Sequence, residues 1–530
     1  MLPKFPFTAR RIHRLGLVRI LLVWLLCAAA TCSGQDVKTL ILGKGAPWAT
    51  PVFINDSGVE GPTVIVTGGV HGNEPAGARA AEQIRHWPIQ NGKLIVIPRV
   101  NKLGLAANTR YIPKASKTEQ DLNRNFPSPD ISGGTRGEIA AAVWEFVREQ
   151  DPDWLIDLHE GYQFNISHKP KPGKTKSVGS SIIFDREQQF GMLAERMLAA
   201  ANGLVTDPQR KFLLLGRGPK KTTLASAVID VLKKPAMILE TTFQFQRLPV
   251  RTRQHRAMMN VALNEIGLAH GDMTRVLTPP RHERGDKVYV ALYADKGGSK
   301  TGVNRLASLL DAASDISVTH IDAKDIQSDL LAQFDVIVFG GGSGSEQAET
   351  IGEAGAEAIR VFVSKGGGCL GVCGGAFLCS AHYPWSLKIV DTKVFTGMQE
   401  VEGVGRKAMY LRGPTAKVKM QLTEDGRHVF DGIPEHAEIN FHNGPIVSPM
   451  NLEGLGPYKP LAFFRSEQVL YPPQKGTMLN SPAIVMGEFG QGRVMSISPH
   501  PESSPGLETM IVQAVYAVAS SRAQSTSSAP

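Results

Sequence analysis

At 530 residues the chain is longer than one hydrophobic core usually organises, so two domains of roughly 200 to 250 residues are expected. Apolar residues make up 42% and charged residues 20%, which excludes disorder for all but the ends. The formal charge of +9 is concentrated at the start, where Lys4, Arg10, Arg11, Arg14 and Arg19 precede any acid. The remainder is only mildly basic and holds no nucleic-acid reading motif, so no nucleic-acid partner is expected.

That basic cluster runs into an apolar stretch over 20–30 that closes in small residues near Gly34. Residues 1–34 therefore read as a signal peptide or an uncleaved membrane anchor, and the chain as exported, periplasmic or extracellular, with a membrane tether if the segment is retained. Of the five cysteines, two fall in this leader, and Cys369, Cys373 and Cys379 share one Gly-rich stretch. That is no disulfide framework.

In chain order, the apolar run 63–67 predicts a strand, 75–87 a helix and 93–98 a second strand. Further buried strands are expected over 154–158 and 236–239, with helices over 192–201 and 254–266 to cover them. This alternation argues an α/β domain over 36–275. A polar, Pro-containing segment, 276–286, reads as a linker. A second α/β domain follows over 287–522, with strands at 288–292, 317–321, 335–339, 368–372 and 493–498. The Ser-rich end, 523–530, reads as a disordered tail.

The first strand runs into Gly68-Gly-Val-His71-Gly-Asn-Glu74-Pro75, which puts an imidazole and a carboxylate three residues apart at a strand exit. His159, in Asp157-Leu-His-Glu160, also follows a predicted strand. Two histidines and a glutamate with an open fourth position form a typical catalytic zinc set, and Asp157 or Glu160 could steady a ligand imidazole. Between these segments, Asp121-Leu-Asn-Arg-Asn-Phe-Pro127 offers Asn123 and Arg124 to a substrate carboxylate, and Arg110 adds a second cation. Glu240 follows a buried-type strand, where a carboxylate is costly without a partner or a task.

Over about residues 60 to 265 these segments resemble the M14 zinc carboxypeptidase superfamily, and within it the succinylglutamate desuccinylase and aspartoacylase branch. The resemblance implies a zinc-carboxypeptidase-like mixed sheet with flanking helices. It also implies one zinc ion held by His71, Glu74 and His159, a carboxylate-binding pair Asn123 and Arg124, an oxyanion-stabilising Arg110, and Glu240 as general base. Classical digestive carboxypeptidases place a tyrosine on a loop before the base; here Tyr162 is the only tyrosine between His159 and Glu240, which sets this chain apart. The Asp121 motif also resembles that of bacterial murein peptide amidases. The implied activity is zinc-dependent cleavage of an amide bond near a carboxylate, on a small anionic acyl-amino acid or peptide.

In the second half, Gly371-Val-Cys373-Gly-Gly375 stands where a strand meets a helix, the pattern of a nucleophile elbow. His500 and Glu502, downstream in Ser498-Pro-His-Pro-Glu502, could complete a thiol triad. With Phe441-His-Asn-Gly-Pro445 and Gly490-Gln-Gly-Arg-Val494, these segments resemble the flavodoxin-like class I glutamine amidotransferase fold, more closely the domain at the N-terminus of some biotin-protein ligases, over about residues 287 to 520. Two alternatives stand beside the zinc reading: thiol chemistry at Cys373 as the main activity, or a non-catalytic envelope binding protein. The oligomeric state is open.

Overall fold

The computed structural model describes residues 37–129, 134–188 and 190–523. The leader expected over 1–34 and all but the first residue of the tail lie outside them. Among the described residues no helix is long and apolar enough to cross a membrane.

The first sheet has eight strands: β1 (Lys38–Leu42), β2 (Thr50–Asp56), β3 (Thr63–Gly68), β4 (Lys93–Ile97), β5 (Trp154–Gly161), β6 (Ser181–Ile183), β7 (Leu213–Leu215) and β8 (Ala236–Thr242), in the order β1-β2-β4-β3-β5-β8-β6-β7. Its centre, β4-β3-β5-β8, is parallel, while β1-β2, β2-β4 and β6-β8 pair antiparallel, which makes the sheet mixed. The central strands are near-continuous apolar runs because helices cover both faces. Helix Pro75–Ile84 packs on β5 so closely that a Cβ at Gly77 would lie 2.2 Å from the Leu158 carbonyl oxygen. It ends three residues before the sequence suggests, and Trp87, at the end of the expected helix, instead donates its indole N–H to the Val276 carbonyl at 3.1 Å. Helix Leu248–Ile266 starts six residues earlier than expected, with Pro249 in its first turn, where a missing N–H costs nothing.

The second sheet has nine strands. Its parallel half, in spatial order, is β10 (Ile316–Ile321), β9 (Val288–Tyr293), β11 (Val336–Phe339), β12 (Gly368–Val372) and β21 (Gly492–Ile497). By chain order this is the flavodoxin-like 2-1-3-4-5 arrangement. An antiparallel extension continues the sheet through β20 (Pro482–Phe489), β19 (Lys459–Phe464), β16 (Ala416–Leu422) and β17 (His436–Phe441). Two small ribbons complete the set, β13 (Thr392–Val394) with β18 (Val447–Pro449), and β14 (Met398–Val401) with β15 (Gly405–Ala408).

Segment 276–286 is packed rather than extended. Leu277 joins the second domain's core, Thr278 and Arg284 are buried, and the Arg284 guanidinium lies over the Tyr289 ring. The domains also meet through charge. Arg79, on helix Pro75–Ile84, pairs with Asp311 at 3.1 Å, and Arg253, on helix Leu248–Ile266, reaches Asp322 at 2.6 Å and Asp325 at 2.8 Å. Asp322 and Asp325 form the capping box of helix Ala323–Gln327, so Arg253 holds the end of a second-domain helix against a first-domain one.

Replacing Arg253 with Ala leaves two buried carboxylates without their cation, and a loss of about 3 kcal/mol is expected. Chemical denaturation reads it as a lower midpoint; an unchanged midpoint would show that this seam contributes nothing.

Candidate metal and thiol centres

The three central parallel strands carry the first site at their carboxyl ends, the usual place for a ligand in such sheets. β3 delivers His71 and Glu74 through its exit loop, β5 carries Asp157 and His159, and β8 sets Glu240 in register beside His159. One potential ligand atom each from His71, Glu74 and His159 lies within 4.8 Å of the others, and all three residues are buried.

Glu74 is the hub. Its Oε1 lies 2.8 Å from His71 Nδ1 and its Oε2 2.8 Å from His159 Nδ1, and Oε2 also accepts the Glu160 backbone N–H at 3.1 Å. The imidazoles' far nitrogens are held from behind: His71 Nε2 by Asp121 at 3.2 Å, and His159 Nε2 by Asp157 at 2.7 Å. Thr67 donates to Asp157 Oδ1 at 2.6 Å and fixes that carboxylate in turn. Two Nδ1 atoms and a carboxylate facing one point, with carboxylates behind both rings, fit a divalent cation such as zinc.

Electrostatics follow from this arrangement. Burial alone would raise Glu74, but His71 and His159 outweigh it and hold the carboxyl well below its ordinary range. Burial would depress His159, yet Asp157 and Glu74 lift it well above the ordinary value. Glu240 has no such support. Desolvation, with the charges of Glu74 and Asp157 nearby, pushes its carboxyl up to about 8 against the pull of His159 and Arg110.

The expected substrate residues are placed unequally. Arg110 is one-third exposed and reaches Glu74 Oε1 at 3.1 Å and Asp121 Oδ2 at 3.4 Å. Asn123 is buried, its amide nitrogen 3.2 Å from His159 Nε2 and its oxygen accepting the Leu224 N–H at 3.0 Å, so it braces the site internally. Arg124 is half-buried and turned to the Asn123 carbonyl. Glu160 does not hold an imidazole; it accepts from Ala76 N and pairs with Arg251, a buried partner the sequence reading did not single out. Asp121 was also missed as a support for His71, although it heads the Asn123-Arg124 motif.

In the second domain, Cys373 sits at φ 51° and ψ −100° between β12 and helix Gly374–Cys379. A Cβ at Gly375 would lie 2.3 Å from the Phe339 carbonyl oxygen, so only glycine permits that elbow to seat on β11. His500 Nδ1 lies 2.7 Å from Glu502 Oε1. Burial would lower His500, but Cys373 and Glu502 overcome it and raise the imidazole to about 10. Cys373, His500 and Glu502 all face one cleft of about 880 Å³, which His442 and Asn443 also line. Cys369 and Cys379 lie in the core with sulfurs 3.7 Å apart.

Residues 60–167 match the succinylglutamate desuccinylase/aspartoacylase catalytic domain family, and residues 288–526 match the biotin-protein ligase N-terminal family. The chain carries both signatures. The desuccinylase/aspartoacylase match includes His71, Glu74, Arg110, Asn123, Arg124 and His159; Glu240 lies beyond it and is tied to the site by its register with His159. Over 149 residues the chain is 32% identical to the N-alpha-acetyl-L-2,4-diaminobutyric acid deacetylase of Halomonas elongata, covering 26% of this chain and 38% of that one. It is 34% identical over 109 residues to the succinylglutamate desuccinylase of Pseudomonas putida, covering 20% and 31%. The chain thus spans only about a third of the length of these curated relatives. Solved structures it resembles include the cell shape determinant Csd4 of Helicobacter pylori (18% identity, 45% of this chain and 56% of that, TM-score 0.35). Another is an aspartoacylase family protein of Mesorhizobium loti (23%, 45% and 69%, TM-score 0.33).

The raised Glu240 carboxyl has a pH signature. A carboxyl that holds its proton more tightly when folded contributes stability below about 4.5 and loses it as pH rises to about 8. In chelator-treated protein, the melting temperature of wild type relative to Glu240→Gln should therefore fall across that window. A constant difference would mean that Glu240 titrates normally.

Proposed function

We propose that the first domain is a zinc-dependent hydrolase that cleaves an amide bond near a carboxylate, in a small anionic acyl-amino acid or peptide. The observation that carries this reading is the convergence of His71 Nδ1 and His159 Nδ1 on Glu74, with Glu240 in register beside His159. The family match over residues 60–167 supports a hydrolase of this kind.

His71, Glu74 and His159 would hold the ion, with Asp121 and Asp157 fixing which ring nitrogens face it. Bound there, zinc would polarise a carbonyl and acidify a water. Glu240 takes the water's proton on a carboxylate oxygen and returns it to the departing amine. Burial beside Glu74 and Asp157 raises its affinity for a proton, which suits the first task. Arg110, beside Glu74, steadies the developing oxyanion, and Arg124 pairs with the substrate carboxylate, with Asn123 bracing the wall behind it. Export through residues 1–34 is part of this reading.

A second reading concerns the other domain. The left-handed backbone at Cys373 and the His500–Glu502 contact favour a thiol nucleophile there, with His500 as its acid and base. The two centres share no residue and work independently.

Glu240→Gln should stay folded and retain zinc while turnover of the zinc-dependent reaction falls at least about 100-fold. Metal content and rate measured on one preparation check this; near-normal turnover with zinc retained would exclude Glu240 as the base. In Arg124→Lys, loss should fall on substrates that carry the carboxylate, since lysine keeps charge but not the planar fork. Equal losses with and without that carboxylate would remove Arg124 from recognition.

A further inference from the structure

The cleft at Cys373 is large for a thiol centre that needs only one carboxamide: about 880 Å³, within the range that takes a whole ligand of roughly 300 to 1,000 Å³. One wall is aromatic. Tyr383 and Trp385 stack with ring centroids 4.5 Å apart and planes 9° from parallel, and Phe377 and Tyr410 extend the same lining. Its charge is one-sided. Among the lining residues the only carboxylate is Glu502, turned to His500, while Arg305 stands exposed at the rim. A substrate with a free ammonium group, such as an unmodified amino acid amide, would find no counter-charge; an acylated one would find an aromatic shelf and a cation.

We infer that this centre takes an N-acylated amide or ester bearing a ring with an apolar face, aromatic or glycosyl, that packs on the Tyr383–Trp385 shelf while its acyl carbon meets Cys373. The inference rests on the reading of Cys373 as nucleophile. The thiolate forms an S–C bond to the carbonyl carbon as the C–N or C–O bond breaks, and the leaving amine or alcohol takes its proton from His500. Water then adds to the thioester carbon and gives a proton to His500; the S–C bond breaks, a carboxylic acid leaves and the thiolate returns. Trp385 takes no part in these steps. It sets which acyl compounds reach the sulfur.

The test uses the full chain with N-benzoylglycine methyl ester and N-acetylglycine methyl ester, which are identical at the reacting bond and differ only by the ring. Turnover is compared in wild type, Cys373→Ala, Trp385→Leu and Trp385→Phe, with a melting temperature for each. The Cys373-dependent part of kcat/KM should favour the benzoyl ester about five- to ten-fold, the scale of one aromatic contact. Trp385→Leu should bring that ratio near one, and Trp385→Phe should keep most of it. Competition by benzamide, or by methyl β-glucoside, tells an aromatic from a glycosyl ring. Turnover identical in Cys373→Ala would overturn the thiol centre itself. Cys373-dependent turnover with a ratio near one in wild type, or a ratio that Trp385→Leu leaves intact, would overturn the ring-bearing substrate and leave the thiol centre standing.

Discussion

Everything in the first domain is arranged around one buried carboxylate held between two imidazoles. Glu74 has lost its water, and such a group survives ionised only where opposite charge and N–H donors replace what burial removed. His71, His159, Arg110 and the Glu160 backbone N–H supply that replacement, and they come from three stretches of chain. The parallel strands β3 and β5 must therefore end together, and helix Pro75–Ile84 must start at Glu74 and lie tight on β5. The fold at this end of the sheet is the consequence of satisfying one side chain.

The same logic extends outward in alternating charge. Asp121 and Asp157 stand behind the imidazoles, while Glu160, next to His159, is balanced by Arg251. Arg251 shares helix Leu248–Ile266 with Arg253, which crosses to Asp322 and Asp325, and Arg79 on the opposite helix crosses to Asp311. The helices packed on the strands that present the candidate metal-site residues are thus the ones the second domain grips. The second centre sits elsewhere, at the end of the parallel half of the second sheet, where a glycine-lined elbow and not a charge cluster fixes the reactive group. The chain offers two solutions to one problem, placing a reactive group at the end of a rigid strand.

Legibility in the sequence followed the range of the interaction. β3, β5, β8, β9 and β12 were readable because runs dominated by apolar residues announce a buried strand. His71 with Glu74, and His500 with Glu502, were readable because each pair is local. Asp121 and Arg251 were not: they meet His71 and Glu160 across 50 and 91 residues, and even the motif that Asp121 heads does not announce its contact with His71. The edge strand β1, its partner β2 and the extension strands β16, β17, β19 and β20 also went unread; in β16 buried and more exposed positions alternate, which carries less signal than an unbroken apolar run. Asn123 shows a subtler limit. Its motif marked it as part of the site, but only its buried contacts with His159 and Leu224 assign it to the wall.

The central claim is that His71, Glu74 and His159 together hold zinc. X-ray absorption at the zinc edge, recorded on the full chain and on a His71→Ala, His159→Ala double variant, tests it most directly. The account predicts nitrogen and oxygen donors at about 2.0 to 2.2 Å with no sulfur in the wild type, and loss of the bound ion in the variant. A zinc–sulfur distance of about 2.3 Å, or an unchanged spectrum and zinc content in the double variant, would contradict it.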